Sequence, residues 1–234
     1  MFSYYGSKSK IIQAYPKPKH NKIIEPFAGS ARYALRYFEN DITINDKYEV
    51  IARIWKFLQS CSPQDIKRLP EPKRKEDIRQ YQFDCEEAQM LMCFMIGGGL
   101  SRMQWIVSPQ NFGAGVATQK KKIIAQLHKI KHWKITCVDY QELPNTSATW
   151  FIDAPYQYGG HKYVVNKIDY SVLSDWCKSR EGQLIVCENT KADWLPFMPI
   201  KKVHGSTFKT TEAIYTNYPT VYDNIQQTIN FLAA

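Results

Sequence analysis

The feature that most restricts the fold of this chain is the order of elements over residues 22–59. Ile23-Ile24-Glu25-Pro26-Phe27 begins as a short apolar strand after Lys22 and stops at a turn, Ala28-Gly29-Ser30. Residues 31–39 read as a helix with Tyr33, Leu35 and Phe38 as candidate buried positions. Residues 41–45, Asp-Ile-Thr-Ile-Asn, form a second strand that ends at Asp46. Residues 47–59 make a second helix with Val50, Ile51, Ile54 and Leu58 along one face. Strand, glycine turn, helix, strand, acid, helix is the first half of a parallel nucleotide-binding sheet.

The pattern then breaks. Residues 60–115 hold prolines, a charge run at Lys73-Arg74-Lys75-Glu76-Asp77, a helix predicted from Glu86 to Ile96, a Gly97-Gly98-Gly99 hinge and a loop of turn formers from Ser101 to Gly115. A basic helix over about 117–131 leads back to a strand at 133–138. Further strands are expected at 149–152, 183–187, 201–208 and 212–217, with a helix at 169–179. There is no internal repeat and no low-complexity segment. The expected organisation is therefore one domain, 1–59 with 116–234, interrupted by an inserted region at 60–115.

Charge separates these parts. The chain carries +9 overall. Residues 61–135 hold 13 Lys and Arg against 7 Asp and Glu, so they carry +6 of it. A basic, loop-rich insertion suits a nucleic-acid backbone, although a solvated helical subdomain has the same composition. The 14% aromatic content offers rings both for a core and for stacking on bases. The six cysteines are scattered, with no CxxC and no paired histidines. Most lie in apolar runs, as expected of reduced thiols in a cytoplasmic protein without a metal site. The longest apolar stretch, around Met90–Leu100, is too short to span a bilayer, and no membrane role is expected.

Four blocks carry chemistry. Asp153-Ala154-Pro155-Tyr156 follows the apolar strand Trp150-Phe151-Ile152, at the sheet edge where open α/β sheets bind ligands. Methylating an aromatic amine is difficult because the lone pair is delocalised into the ring. A carboxylate and a backbone carbonyl can each accept one N–H, an adjacent aromatic ring can stack on the base, and proline stiffens the turn. The same four residues also make an ordinary turn. Glu25-Pro26-Phe27-Ala28-Gly29-Ser30 lets a nucleoside approach the backbone at a helix start, or is simply capped by Ser30. Asp46 stands where an acid accepts from ribose hydroxyls, or caps the helix after it. Ser3-Tyr4-Tyr5-Gly6-Ser7-Lys8 could clamp a carboxylate or phosphate, or be a frayed end.

Taken in order, these blocks resemble the Dam-type (class alpha) DNA adenine-N6 methyltransferases. That family runs aromatic-Gly-x-Lys, Phe-x-Gly-x-Gly, an acid at the second strand tip, a target-recognition insertion and Asp-Pro-Pro-Tyr. Tyr4-Tyr5-Gly6-Ser7-Lys8, Phe27-Ala28-Gly29-Ser30-Ala31, Asp46, residues 60–115 and Asp153-Ala154-Pro155-Tyr156 correspond. Glu212-Ala213-Ile214-Tyr215-Thr216-Asn217 resembles the closing strand, and Asp139-Tyr140 stands where the family contacts the cofactor's adenine.

The resemblance implies an α/β, Rossmann-like sheet, mostly parallel with an antiparallel terminal strand and a small helical target-recognition insertion. It implies S-adenosylmethionine as cofactor and an adenine flipped from duplex DNA as acceptor. Tyr4 and Lys8 would enclose the methionine end of the cofactor. Phe27, Ala28 and Gly29 would line its pocket, Asp46 would hold its ribose, and Asp139 and Tyr140 would flank its adenine. Asp153 would accept a hydrogen bond from the target amine, Ala154 would offer its carbonyl, Pro155 would hold the turn and Tyr156 would stack on the base. Two residues depart from the pattern: Ala31 replaces the second glycine and Ala154 the first proline. In the insertion, Arg102, Gln104, Trp105 and Asn111 are candidates for reading bases, and Lys120, Lys121 and Lys122 for phosphates. The rival readings are methylation of RNA adenine or of a glutamine amide, and a catalytically weak DNA-binding subunit derived from such an enzyme.

Overall fold

A computed structural model describes residues 1–108, 115–204 and 209–218. Seven strands form one sheet: β1 (Lys22–Glu25), β2 (Asp41–Asn45), β3 (Lys134–Thr136), β4 (Ala148–Ile152), β5 (Gly182–Asn189), β6 (Met198–His204) and β7 (Lys209–Thr216). Their order is β3-β2-β1-β4-β5-β7-β6. The first five are parallel, and β7 lies antiparallel to both β5 and β6. Chain order reverses direction between β1 and β4, so a crevice opens beyond their carboxyl ends.

Burial explains the central strands. All five residues of β4 are buried, the pattern of a parallel strand covered on both faces. Its side chains alternate between two apolar layers. Phe151 packs with Ile185 and Cys187 against α2 (Glu49–Ser60) and α4 (Glu86–Ile96). Trp150 and Ile152 pack with Leu184 and Val186 against α6 (Tyr170–Lys178). Helix α2 buries Ile51, Ile54, Trp55 and Leu58 at helical spacing.

The sequence reading and the structure part at a few elements. Helix α1 is only Arg32–Arg36, because Ala31 has left-handed dihedrals (φ 44°, ψ 50°) and cannot open the helix as expected. Helix α3 (Pro63–Arg68) lies in a proline-containing stretch for which the sequence pattern predicts no element. Pro63 is in fact its first residue, and a reciprocal Ser62–Asp65 capping box closes its start. The basic helix is α5 (Gly115–Ile124), followed by a 3-10 turn over Leu127–Ile130. Between α2 and β3 the described residues are helical and irregular. A short antiparallel contact also pairs Glu76 and Ile78 with Val107 and Trp105. No helix among the described residues is long and apolar enough to cross a membrane.

The tips of β1, β2 and β3 are tied by one buried side chain. Asn45 Nδ2 donates to the carbonyls of Pro26 (3.0 Å) and Val138 (3.1 Å). Its Oδ1 accepts from Thr136 Oγ1 (2.8 Å) and the Val138 amide (3.0 Å). All the hydrogen-bonding capacity of the amide is used. Asn45→Ala leaves several of these groups unpaired and lowers stability by about 3 kcal/mol. Denaturant unfolding checks this, and a loss within about 0.5 kcal/mol would show that the tips hold without it.

Candidate active site

The crevice is a cleft of about 880 Å³, its open mouth included. Tyr4, Lys8, Phe27, Ala28, Gly29, Asp46, Asp139, Tyr140, Asp153 and Pro155 all line it. Five separate stretches of sequence therefore meet at one place. Ala154 lies behind the wall in the apolar layer. Tyr156 packs beside it against Lys8 and Glu212.

The floor is the turn after β1. Gly29 has φ +47°, and a Cβ there would stand 2.9 Å from the Tyr4 ring. Only glycine allows both that backbone and the close approach of Tyr4. The Gly29 amide donates to Asp46 Oδ2 (2.9 Å) and the Tyr48 amide to Asp46 Oδ1 (2.9 Å). Trp55 Nε1 donates to the Gly29 carbonyl (2.9 Å). Asp46, which lines the cleft, is thus clamped at the strand tip through both oxygens. Burial pushes its carboxyl up to about 6, against the pull of the two amides. On the far wall Phe27 and Tyr140 lie 5.3 Å apart, and Asp139 meets Lys47 at 2.6 Å.

The other end is a charged cluster. Lys8 Nζ lies 2.9 Å from Asp153 Oδ1 and 3.5 Å from Glu212 Oε1, donates to Tyr156 Oη at 2.6 Å, and stands 4.5 Å from the centre of the Tyr156 ring. Tyr156 and Tyr15 both donate to Glu212 Oε1, the latter at 2.6 Å. Burial opposes the Lys8 charge, but Asp153 and Glu212 outweigh it and raise the ammonium pKa above the usual lysine range. Burial also lifts Asp153 to about 6, against the pull of Lys8 and with the push of Glu212. The turn behind is fixed by Tyr170 Oη donating to the Pro155 carbonyl (2.9 Å) and the Gly160 amide to the Tyr156 carbonyl (2.9 Å).

The residues expected to touch nucleic acid are dispersed. Arg102, Lys121 and Lys122 are exposed. Gln104 is half-buried and donates to the Ile106 carbonyl (2.9 Å), while Trp105 packs on the core with Arg79 over its ring. Asn111 lies outside the described residues. Lys120 is corrected: its ammonium is buried, donating to the Leu69 carbonyl (2.7 Å) and pairing with Glu71 (3.0 Å), so it ties α5 to the chain after α3 instead of meeting a phosphate. Lys8 was placed at the methionine end of a cofactor; in the structure its ammonium pairs with Asp153.

Glu212, Tyr15, Glu25 and Tyr163 have no individual role in the sequence pattern, although Glu25 and Glu212 each open one of its blocks. Glu25 carried a signal, as an acid that directly follows the apolar pair Ile23-Ile24 and ends up buried; Glu212, also buried, stands in a polar stretch and carried little. Tyr15 and Tyr163 carried none, because only the fold brings Tyr15 to Glu212 and Tyr163 to the cleft.

No family model matches the chain, and no curated relative matches it. Among solved structures it is similar to "Putative methyltransferase yhhF from Escherichia coli", at 8% identity and a TM-score of 0.37, covering 91% of this chain and 81% of that one. A likeness at that level decides nothing about the site.

Glu25 supplies a test of the cleft's electrostatics. Its carboxylate accepts from the Ala34 amide (2.5 Å), yet burial raises it to about 8 from 4.5, with Asp153 adding to the rise. A carboxyl that binds its proton more tightly when folded gives full stability below about 4.5, lost as pH rises towards about 8. Glu25→Gln therefore raises Tm at pH 8 and changes it little at pH 4.5, as read by thermal unfolding across that range. An equal shift at both ends would mean that the carboxyl stays ionised throughout.

Proposed function

We propose that this chain is an S-adenosylmethionine-dependent methyltransferase acting on the exocyclic N6 of adenine in DNA. The observation that carries the reading is the convergence of Tyr4, Gly29, Asp46, Tyr140 and Asp153 on one cleft at the switch point of the sheet. These residues come from blocks that the resemblance to the Dam-type enzymes had put in order along the sequence.

The cleft suits a cationic nucleoside. Asp46 and Asp153 both line it, and burial raises the pKa of each to about 6. A bound cation favours their ionised forms and is held by them in turn. Asp46, already oriented by two amides, has lone pairs left for ribose hydroxyls, and Phe27 and Tyr140 offer rings for an adenine. Bound there, the cofactor supplies a methyl group on a sulfonium, already reactive enough that positioning of the acceptor becomes the protein's task.

Asp153 accepts an N–H from the acceptor amine and draws the nitrogen out of conjugation with its ring. An amine at Oδ1 takes the place of Lys8 Nζ. Glu212, only 3.5 Å from that ammonium, keeps it paired when Asp153 is engaged. Tyr156, held by Glu212, offers its ring to the base. The inserted region at 60–115 acts as the target-recognition part in this reading.

A second reading rests on one observation. Lys8 Nζ pairs with Asp153 Oδ1, which favours a DNA-binding protein of weak activity if the ion pair does not yield. Radiolabelled cofactor with duplex DNA, RNA or protein separates the two. Label enters DNA with the wild type, and Asp153→Ala cuts transfer by on the order of 10²-fold or more. DNA binding without label supports the weak subunit, and label in RNA or protein overturns the choice of acceptor.

Cofactor affinity also depends on pH. Asp46 and Asp153 gain protons as pH falls through about 6. The cleft then loses negative charge, so Kd for S-adenosylmethionine rises between pH 7 and pH 5. Calorimetry shows this directly, and a flat profile would mean that neither carboxylate attracts the cofactor.

A further inference from the structure

We propose that the rim of the cleft, built from residues 4–8, 100–106 and 158–167, is a nucleic-acid docking face on which the backbone flanking the acceptor nucleotide crosses Arg102, Lys162 and Lys167. This deepens the reading above and rests on it for the acceptor.

The three segments form one surface. The Tyr5 amide donates to the Leu100 carbonyl (3.3 Å), Ser101 Oγ to the Lys162 carbonyl, and Tyr163 Oη to the Tyr5 carbonyl (3.3 Å). Lys162 Nζ lies 5.4 Å from the centre of the Tyr5 ring. Gly6 is tightly enclosed, since a Cβ there would meet Tyr163 Oη at 2.1 Å. Lys8, Tyr163 and Lys167 line the cleft itself, so this surface continues into it.

Its charge is one-signed. Residues 1–24, 88–138 and 154–168 contain no Asp or Glu, although the chain has 22 of them. The rim is drawn entirely from those stretches. Elsewhere Arg53, Arg68, Arg79, Lys47 and Lys120 are each paired with an acid. Arg102, Lys162 and Lys167 are exposed and form no ion pair among the described residues. Unpaired cations beside an aromatic ring at the mouth of a deep cleft match a polyanion whose bases are to be unstacked. Four of the five large apolar side chains exposed among the described residues also lie here: Leu100, Ile106, Tyr158 and Val164. A strand carrying both phosphates and base faces satisfies both kinds of group.

The face differs from the one read in the sequence. Lys120 is occupied internally by Glu71 and the Leu69 carbonyl, which removes one member of the lysine triplet. Lys162 and Lys167 were assigned no role there.

Fluorescence anisotropy of a short labelled duplex over a KCl series tests the proposal. Each phosphate contact contributes about 0.9 to the slope of log K against log salt. Lys162→Gln and Lys167→Gln should each flatten the slope by about that much, the pair by about twice as much, and Lys178→Gln on α6 should leave it unchanged. All three side chains are exposed, and an unaltered Tm confirms that each variant folds. The proposal is overturned if the rim variants keep the wild-type slope, if Lys121→Gln and Lys122→Gln flatten it instead, or if the protein binds anionic phospholipid vesicles but no DNA. Label transfer on the same samples separates the two proposals. Flattened slopes without methyl transfer refute the reaction and leave the docking face standing. Methyl transfer to DNA with unchanged slopes does the reverse.

Discussion

The site depends on what happens at the end of β2. Asn45 ties its own tip to the turn after β1 and to the chain leaving β3 through four hydrogen bonds in a buried setting. Asp46, next in the chain, uses its carboxylate to clamp the Gly29 amide and start α2. Two adjacent side chains therefore position Phe27–Gly29 on one side and Asp139–Tyr140 on the other. The first has no regular structure of its own, and the second has only a single 3-10 turn, Tyr140–Glu142, capped by Asp139. An amide with no spare hydrogen-bonding capacity is a rigid joint, because any movement leaves a buried donor or acceptor unpaired.

The second constraint is electrostatic and opposes the first. A cleft shaped by polar clamps has buried carboxyls; beyond the effect of burial itself, Glu212 pushes up the pKa of Asp153, and Asp153 that of Glu25. The protein relieves this with Lys8. Its ammonium balances one of the two negative charges of Asp153 and Glu212, leaving the cluster at −1 when both are ionised. The remaining charge suits the sulfonium of the proposed cofactor. Tyr156 is held by the same cluster, so the charge at this end of the cleft also sets the orientation of its ring. Geometry and charge at this end of the cleft are one network, and a change in Glu212 reaches both.

Much of this was legible in the sequence because it was local. Apolar runs ending at Glu25, Asn45 and Ile152 give strands, a glycine after Phe27 gives the turn, and acids at 46 and 153 fall at the strand tips. The structure places them so. What was not legible depends on distant partners. Pro63 looks like a breaker until the Ser62–Asp65 box shows it opening a helix. Lys120 looks like its neighbours 121 and 122 until α5 turns it inward to Glu71. Glu212 belongs to a strand whose position between β5 and β6 no local pattern announces. Tyr15 reaches it across 197 positions of sequence.

The two departures from the family pattern are accommodated in different ways. At position 31 the backbone is left-handed, which explains why a glycine suits it. Alanine there costs about 1 kcal/mol in strain. Its methyl is buried, an offset of about 0.8 kcal/mol, and its amide and carbonyl bond Ala28 and Leu35 as the turn requires. At position 154 the loss is of stiffness. The structure restores stiffness from outside the tetrapeptide: Tyr170 holds the Pro155 carbonyl, and Gly160 packs so closely on Pro155 that a Cβ would stand 3.0 Å from it. A turn clamped at its second half does not need a proline ring in its first, provided Ala154 stays in the apolar layer where it is now buried. At position 154 the surrounding fold thus supplies the stiffness that the first proline supplies in the family pattern.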